Sequence, residues 1–311
     1  MNPARDQRAR SRIVAMKIVQ SLWSKPAQAS GGWERHTGHW PSPHFFWCSW
    51  VLSTQWAFKH YGNVELVTDD EGARWLVDRL KLPFTSVRTD LHSLDVPESL
   101  WAFGKIAAYA LQKEPFFHID GDVYLMGKLP QKYETVDLLC QFFEQYPAYP
   151  NFEYFYDKNR AAIEKSSSWL PGFWKFMNER SAANCGIMGG ANIDAIQKYA
   201  SDVRGLVLHP QNRAIWTDAS LNLYVNCVIE QQALWCSARE QGVTLTPLFE
   251  NTDFSDVDSF RRKALATNFN HAASIAKNRS FGTHLKERVQ AEYPEQYRII
   301  EGIFSSNTSE L

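Results

Sequence analysis

Short apolar runs alternate with longer segments of helical periodicity through the first 125 residues. The apolar runs predict strands over residues 17–23, 64–68, 85–88 and 116–125. Between them, apolar residues three or four positions apart predict helices over residues 43–60, 71–80 and 97–113. Regular alternation of strand and helix is typical of a parallel sheet with right-handed crossovers.

The second half of the chain is less regular. Its apolar pattern predicts strands near residues 185–188 and over 243–248, and helices over 192–206 and 220–241. The sequence contains no internal repeat and no low-complexity segment. We therefore predict an α/β protein with a mixed sheet flanked by helices, in a single domain with two lobes.

The composition argues against several classes of protein. A net charge of −1 over 311 residues predicts no nucleic-acid partner. No apolar run reaches the roughly 18 residues of a membrane span, so no transmembrane segment is expected. Five cysteines without a Cys-x-x-Cys pair fit a reducing compartment, and we expect a cytoplasmic protein. Residues 1–15 are rich in arginine and lack the apolar run of a secretory signal, which predicts a flexible leader.

Two carboxylates, two positions apart, interrupt the strand predicted over residues 116–125 at the carboxyl end of its first apolar run. They are Asp120 and Asp122, and Gly121 lies between them. In an α/β sheet, ligands bind at the carboxyl ends of the strands. Paired carboxylates there repel a phosphate unless a divalent cation lies between, and oxygen ligands suit Mg²⁺ or Mn²⁺. We expect Gly121 to let the backbone bend and a phosphate approach closely.

Four segments together resemble the Asp-x-Asp (DXD) glycosyltransferases of the GT-A fold. In chain order they are Asp120-Gly121-Asp122, Asn184-Cys185-Gly186, Glu230-Gln231, and the run 269–277 with His271 and Lys277. They span most of residues 17–280. Over the whole chain the likeness is closest to a bacterial family of DXD proteins, which implies a GT-A-like, Rossmann-type fold and no particular substrate.

The resemblance implies how the donor is held. Asp120, Asp122 and His271 would bind Mn²⁺ or Mg²⁺, and Lys277 would meet the diphosphate of a nucleotide-diphosphate sugar. Members of the family usually have a glycine between this His and Lys, whereas this chain has none there. His284 is therefore a rival for the third metal ligand.

The resemblance also implies how the sugar is held. Glu230 and Asn184 would face the transferred sugar as the catalytic residues, and Glu230 is also a candidate general base. Tryptophans and histidines in the loop after the first strand, among them Trp33, Trp40 and His36, could stack on a donor base or pack in the core.

Two further polar residues are candidates for donor binding. Lys105 stands in a nearly all-apolar predicted helix, where an unpaired charge is costly to bury. It could therefore reach a diphosphate or extend to the surface. Asp69 follows the second predicted strand, where it could bond a ribose or cap the next helix.

These observations predict a metal-dependent glycosyltransferase with four regions. Residues 1–15 form the leader, 16–126 the nucleotide-sugar-binding half, 127–250 the acceptor-side half, and 251–311 a C-terminal tail or lid. The partners would be a sugar nucleotide and an acceptor, which is a glycan, a peptide or a small molecule. The alternatives are a non-enzymatic carbohydrate-binding protein, given the many aromatic residues, and an aspartate-dependent phosphohydrolase, given the closely spaced aspartates.

Overall fold

The computed structural model describes residues 16–149, 151–218, 220–250, 256–273 and 276–305, so the predicted leader 1–15 lies outside the described residues. The strands are β1 Lys17–Leu22, β2 Val64–Thr68, β3 Ser86–Arg88, β4 Phe116–Ile119, β5 Val123–Leu125, β6 Leu138–Cys140, β7 Phe143–Gln145, β8 Ser181–Ala183, β9 Ile187–Gly190, β10 Leu245–Pro247 and β11 Phe269–His271.

The helices are α1 Lys25–Ala29, α2 Pro43–Tyr61, α3 Asp70–Ala73, α4 Phe103–Ala110, α5 Lys158–Ser166, α6 Ile193–Leu208, α7 Val225–Cys227, α8 Ala233–Gln241, α9 Val257–Thr267, α10 Arg279–Glu292 and α11 Pro294–Ser305. Wider π-helical turns extend three of them, at Arg74–Arg79, Glu153–Asp157 and Val228–Gln232. Short 3₁₀ turns lie at Asp90–Ser93, Gln131–Tyr133, Gly172–Glu179, Pro210–Asn212 and Ile215–Thr217.

A seven-stranded sheet organises the protein, in the order β10-β6-β9-β4-β1-β2-β3. The strand β9 is antiparallel to both of its neighbours, and the other pairs are parallel. Alternate residues of β1 face opposite sides, as strand geometry requires. Val19 packs in a cluster with α4 and α6, and Ile18 packs in one with Ala57 of α2. The predicted α/β fold with a mixed sheet flanked by helices is confirmed.

The chain leaves this sheet at the Asp-Gly-Asp sequence. The predicted single strand over 116–125 is wrong, because β4 ends at Ile119 and β5 pairs instead with β11, as a separate antiparallel ribbon. Asp120 and Asp122 therefore lie in the turn between two sheets. Ser49 and Ser53 of α2 hold that turn by donating hydrogen bonds to the carbonyls of Gly121 (2.9 Å) and Asp120 (3.3 Å).

Other boundaries differ from the sequence prediction where tertiary contacts decide them. The helix predicted over 97–113 narrows to α4, and the one predicted over 220–241 begins at Val225. The helix α1 lies within the predicted loop 24–42. In the predicted tail 251–311, the described residues contain β11 and three helices, α9 to α11, which the sequence analysis did not predict.

The described part of the chain has no helix that combines the length and apolar character needed to cross a bilayer.

Candidate functional site

A cavity of about 290 Å³ opens at the carboxyl ends of β1 and β4. Its floor carries Asp120, Asp122, Lys105 and Lys277. Five tryptophans line its walls, namely Trp23, Trp33, Trp40, Trp50 and Trp101. The cavity thus combines charged and aromatic side chains in one lining, which suits a ligand that has both a phosphate group and a flat ring.

The two histidines of the cavity wall are uncharged at neutral pH. Burial lowers the pKa of His36 to about 4, and His39 and Lys277 add to this effect. Burial also lowers the pKa of His39, and the Lys277 ammonium adds to it. The positive charge of the cavity therefore resides on its lysines.

The approach of a phosphate to Gly121 stays a prediction, and the structure shows a close contact of this residue with a neighbouring side chain. A Cβ atom on this residue would lie 2.3 Å from the indole of Trp50. The close approach that glycine permits here is thus made by a tryptophan of α2, although Gly121 still lines the cavity. Any larger residue would have to displace the Trp50 indole.

The ribbon of β5 and β11 brings His271 to the aspartates. His271 pairs with Val123 across the ribbon, and the Ala272 amide donates to the Asp122 carbonyl at 3.0 Å. The Nε2 atom of His271 lies 3.3 Å from Oδ1 of Asp122. The rival residue, His284, lies on α10 with 81% of its side chain exposed, beside Glu287. The structure therefore places His271, and not His284, next to the acid pair.

Gln141 determines which nitrogen of His271 carries the proton. Its Oε1 atom lies 2.7 Å from Nδ1 of His271, and an amide oxygen can only accept a hydrogen bond. Nδ1 is therefore the donor, as assigned from this contact, and in the uncharged ring Nε2 presents a lone pair toward Asp122. A hydrogen bond on the far nitrogen is the usual support for a metal-binding histidine.

Asp120, Asp122 and His271 could share a cation. One ligand atom from each residue lies within 4.8 Å of the others. Oδ1 of Asp122 is buried and has no hydrogen-bond partner among the described residues. With the ring uncharged, this carboxylate oxygen faces an imidazole lone pair, which is unfavourable unless a proton on Nε2 or a cation lies between them. Two carboxylate oxygens and one imidazole nitrogen fit Mn²⁺, with other positions left to water or phosphate.

Lys277 supplies the other cationic contact of Asp122. Its Nζ atom lies 2.7 Å from Oδ2 of Asp122 and donates to the Gly38 carbonyl at 2.9 Å. It also lies 5.8 Å from the ring centroid of Trp40. Burial alone would raise the pKa of Asp122, but Lys277 and His271 outweigh it and hold this pKa well below its usual range. Asp122 is therefore ionised at neutral pH.

Lys105 lies between two acids at the cavity floor. Its Nζ atom is 2.8 Å from Asp120 and 2.7 Å from Glu230, and it donates to the Cys185 carbonyl at 3.2 Å. Burial alone would lower the pKa of Lys105, but the two carboxylates outweigh burial and raise it. The predicted alternative of a side chain extending to the surface is wrong, because only 10% of the side chain is exposed.

Glu230 lies behind Lys105 and not in the cavity wall. Its side chain is 1% exposed, and its Oε1 atom also accepts a hydrogen bond from the Tyr109 hydroxyl at 2.9 Å. Burial and the Asp120 charge raise the pKa of Glu230, against the effect of Lys105. The predicted contact between Glu230 and a sugar is thus not formed by the cavity as it stands.

Asn184 and Asp69 are also held away from the cavity wall. The Asn184 amide group donates to Glu144 at 2.9 Å, and its oxygen accepts from the Gly186 amide at 3.1 Å. Asp69 caps α3 through the Gly72 amide at 2.9 Å, and it accepts two further bonds from Ser24 at 2.8 Å each. The structure thus shows the predicted capping role, and ribose binding by Asp69 stays a prediction.

Comparison with known proteins assigns the chain to a family. Residues 16–303 match the family described as "Family of unknown function (DUF6734)". The chain belongs to this family. No curated protein matches it. Among solved structures it is similar to the apo form of WbbM, a bifunctional glycosyltransferase, at 12% identity and a TM-score of 0.45, over 97% of this chain and 52% of that one. The chain thus spans about half the length of that structure.

Two residues of this DUF6734 protein support the site and were missed by the sequence analysis. Gln141 orients His271, and Gly186 leaves room for both of them. A Cβ on Gly186 would lie 2.4 Å from Oε1 of Gln141 and 2.4 Å from Nδ1 of His271. For Gly186, the Asn-x-Gly sequence was the one signal of a close contact. For Gln141, no neighbouring sequence pattern indicated that it contacts His271.

Gly186→Ala in this DUF6734 protein should weaken Mn²⁺ binding at least about tenfold, roughly 1.4 kcal/mol. The added methyl group separates Gln141 from His271, and loss of such a supporting bond typically costs about 10–100-fold in metal affinity. Isothermal titration calorimetry with Mn²⁺ measures the effect. Gly302→Ala on α11 is the control, because a Cβ there meets nothing within 4 Å. Equal affinities for the two variants would contradict the role of Gly186.

Proposed function

We propose that this protein is a metal-dependent glycosyltransferase that moves a sugar from a nucleotide-diphosphate sugar to an acceptor. The observation that carries the proposal is the unpartnered Oδ1 of Asp122, which shares a 4.8 Å cluster with Asp120 and His271 beneath an aromatic cavity. A pair of carboxylates alone repels a diphosphate, whereas a cation held by them attracts one. The four DXD-like segments named from the sequence supply or support this cluster.

Different residues would bind different parts of the donor. Asp120, Asp122 and His271 would hold the metal, and the imidazole favours Mn²⁺ over Mg²⁺. When bound, the metal would neutralise the charge that develops on the leaving nucleoside diphosphate. Lys277 adds a positive charge for the phosphate oxygens, and the tryptophan walls offer stacking surface for the base.

Glu230 and Asn184 act in this proposal as positioning residues. Glu230 holds the Lys105 ammonium, which in turn holds the Asp120 carboxylate. Asn184 accepts from the Gly186 amide and so supports the backbone beside Gln141 and His271. Their effect on the reaction would then pass through the metal ligands and not through contact with the sugar.

A panel of sugar nucleotides tests the function. Melting temperature is measured with UDP-, GDP-, CMP- and dTDP-sugars, each with and without Mn²⁺. We expect one nucleotide to raise the melting temperature, and only when Mn²⁺ is present. The absence of any Mn²⁺-dependent shift across the panel would refute the proposal.

Product analysis separates the enzyme from its alternatives. A glycosyltransferase slowly releases free sugar and nucleoside diphosphate from its donor when water replaces the acceptor, and this release should need Mn²⁺. Binding without release would indicate a carbohydrate-binding protein. Release of inorganic phosphate from a simple phosphate ester would indicate an aspartate-dependent phosphohydrolase.

His271→Ala should weaken Mn²⁺-dependent donor binding at least about tenfold, roughly 1.4 kcal/mol. The substitution removes the nitrogen ligand and leaves Asp122 with Lys277 alone. His284→Ala is the matched control, since that imidazole is exposed on α10 and should change little. Calorimetric titration of both variants measures the difference. A larger loss of donor affinity in His284→Ala would indicate that His284 on α10 is the metal ligand.

A further inference from the structure

Lys277 already occupies the position of a counter-ion at the acid pair. Its ammonium contacts Oδ2 of Asp122 at 2.7 Å, while Oδ1 of the same carboxylate faces His271. The side chain is only 13% exposed, so solvent screens this contact weakly. A metal at Oδ1 and an ammonium at Oδ2 would share one carboxylate, and two cations that close repel each other strongly.

The acidic and basic side chains at the cavity floor nearly neutralise one another. Among the described residues of the cluster, the carboxylates of Asp120, Asp122 and Glu230 face the ammonium groups of Lys105 and Lys277. With an uncharged imidazole the cluster therefore has a net formal charge of −1. A divalent cation alone would reverse this to +1, whereas a cation together with a doubly charged diphosphate diester would restore −1. A buried cluster disfavours an uncompensated change of charge.

The backbone holds Lys277 in this position from the other side. Gly38, whose carbonyl accepts from Nζ, has a φ of 53°, and His39 follows with a φ of 69°. A Cβ on Gly38 would lie 2.5 Å from the ring of Phe46. The left-handed conformation costs His39 conformational energy, whereas Gly38 adopts it freely and its carbonyl accepts the hydrogen bond from the ammonium. Lys277 is thus held between Asp122 and the Gly38 carbonyl.

We propose that Lys277 makes metal binding depend on the diphosphate: its ammonium neutralises Asp122 when the cavity is empty and turns to the phosphate oxygens when the donor arrives. This inference rests on the proposed function, since it concerns the same metal and donor. Binding of the metal and binding of the diphosphate are then coupled, and each raises the affinity for the other by the same factor. In this way Lys277 lowers the affinity of the site for the metal when no diphosphate is bound.

The decisive experiment titrates Mn²⁺ into the protein without nucleotide. Lys277→Met removes the ammonium at similar side-chain length and should bind Mn²⁺ alone at least about tenfold more tightly than the wild type, roughly 1.4 kcal/mol. Lys277→Arg keeps the charge and should resemble the wild type. Lys81→Met removes a surface ammonium that pairs with Glu295, and should also leave Mn²⁺ affinity unchanged.

A second titration is made with saturating UDP and, separately, GDP. The nucleotide should increase the Mn²⁺ affinity of the wild type, and this increase should fall at least about tenfold in Lys277→Met. If Lys277→Met keeps its melting temperature but binds Mn²⁺ alone no more tightly than the wild type, the proposed coupling is wrong. This result would not contradict the proposed metal site. If neither the wild type nor Lys277→Met binds Mn²⁺ under any of these conditions, the proposed function itself fails.

Discussion

Asp122→Asn should abolish Mn²⁺-dependent nucleotide binding, with a loss of at least about a hundredfold, roughly 2.8 kcal/mol. The amide has no charge to offer a metal, and Asp122 is the residue that contacts both His271 and Lys277. Its pKa is held well below the usual range by those neighbours, so the wild-type group is ionised at neutral pH. Calorimetry with UDP and GDP, each with and without Mn²⁺, measures the loss.

The fold should survive this substitution at a moderate cost. Sequence reasoning alone predicts a small cost, because asparagine and aspartate have nearly the same size. The structure raises that expectation to about 1–3 kcal/mol, because Lys277 loses its carboxylate partner. Asp137→Asn, at an exposed carboxylate, is the matched control. If Asp122→Asn binds the nucleotide in Mn²⁺ with the same affinity as the wild type, the proposed function is refuted.

Lys105→Met should lower the free energy of unfolding by about 3–5 kcal/mol, the typical cost of leaving a buried charge without its partner. Lys105 is the ammonium shared by Asp120 and Glu230, and its removal leaves the buried Glu230 and the partly buried Asp120 without their common cation. Both of these carboxyl groups already have raised pKa values, from burial foremost. Urea denaturation monitored by circular dichroism measures the change.

A double variant separates this charge effect from lost packing. Glu230→Gln added to Lys105→Met removes one of the two stranded charges while Tyr109 keeps a hydrogen-bond acceptor, so part of the stability should return. Lys198→Met, which breaks only the half-exposed contacts to Asp202 and Glu240, should cost less than about 1 kcal/mol. No recovery in the double variant would show that packing, and not charge, makes Lys105 important.

Local patterns were sufficient to predict the first strands and the acid pair. The strand β2 has the predicted bounds and β1 differs by one residue, because continuous apolar runs flanked by polar residues have few alternatives. Asp120 and Asp122 were found because acidic residues rarely interrupt a run as apolar as residues 116–125. Gly62 and Gly242 end their helices in the left-handed conformation, which glycine adopts without steric cost.

Local sequence patterns do not predict which distant segments of the chain contact each other. β11 is three residues long, two of which are polar, so its apolar content could not mark it as a strand. The partnership of Lys105 with Glu230 joins residues on separate helices, and the sequence presents each only as an unexplained charge in an apolar segment. Asp69 was ambiguous for the same reason, since its second partner, Ser24, comes from another loop.

The β5–β11 ribbon also sets the order in which this site can assemble during folding. It joins segments separated by on the order of 145 residues, so its closure carries a large loop entropy and depends on structure formed between them. A chain emerging from the ribosome exposes the two aspartates long before His271 and Lys277 are synthesised. Until then the acid pair has no imidazole and no second ammonium, and the nascent protein cannot capture a metal ion through the complete cluster.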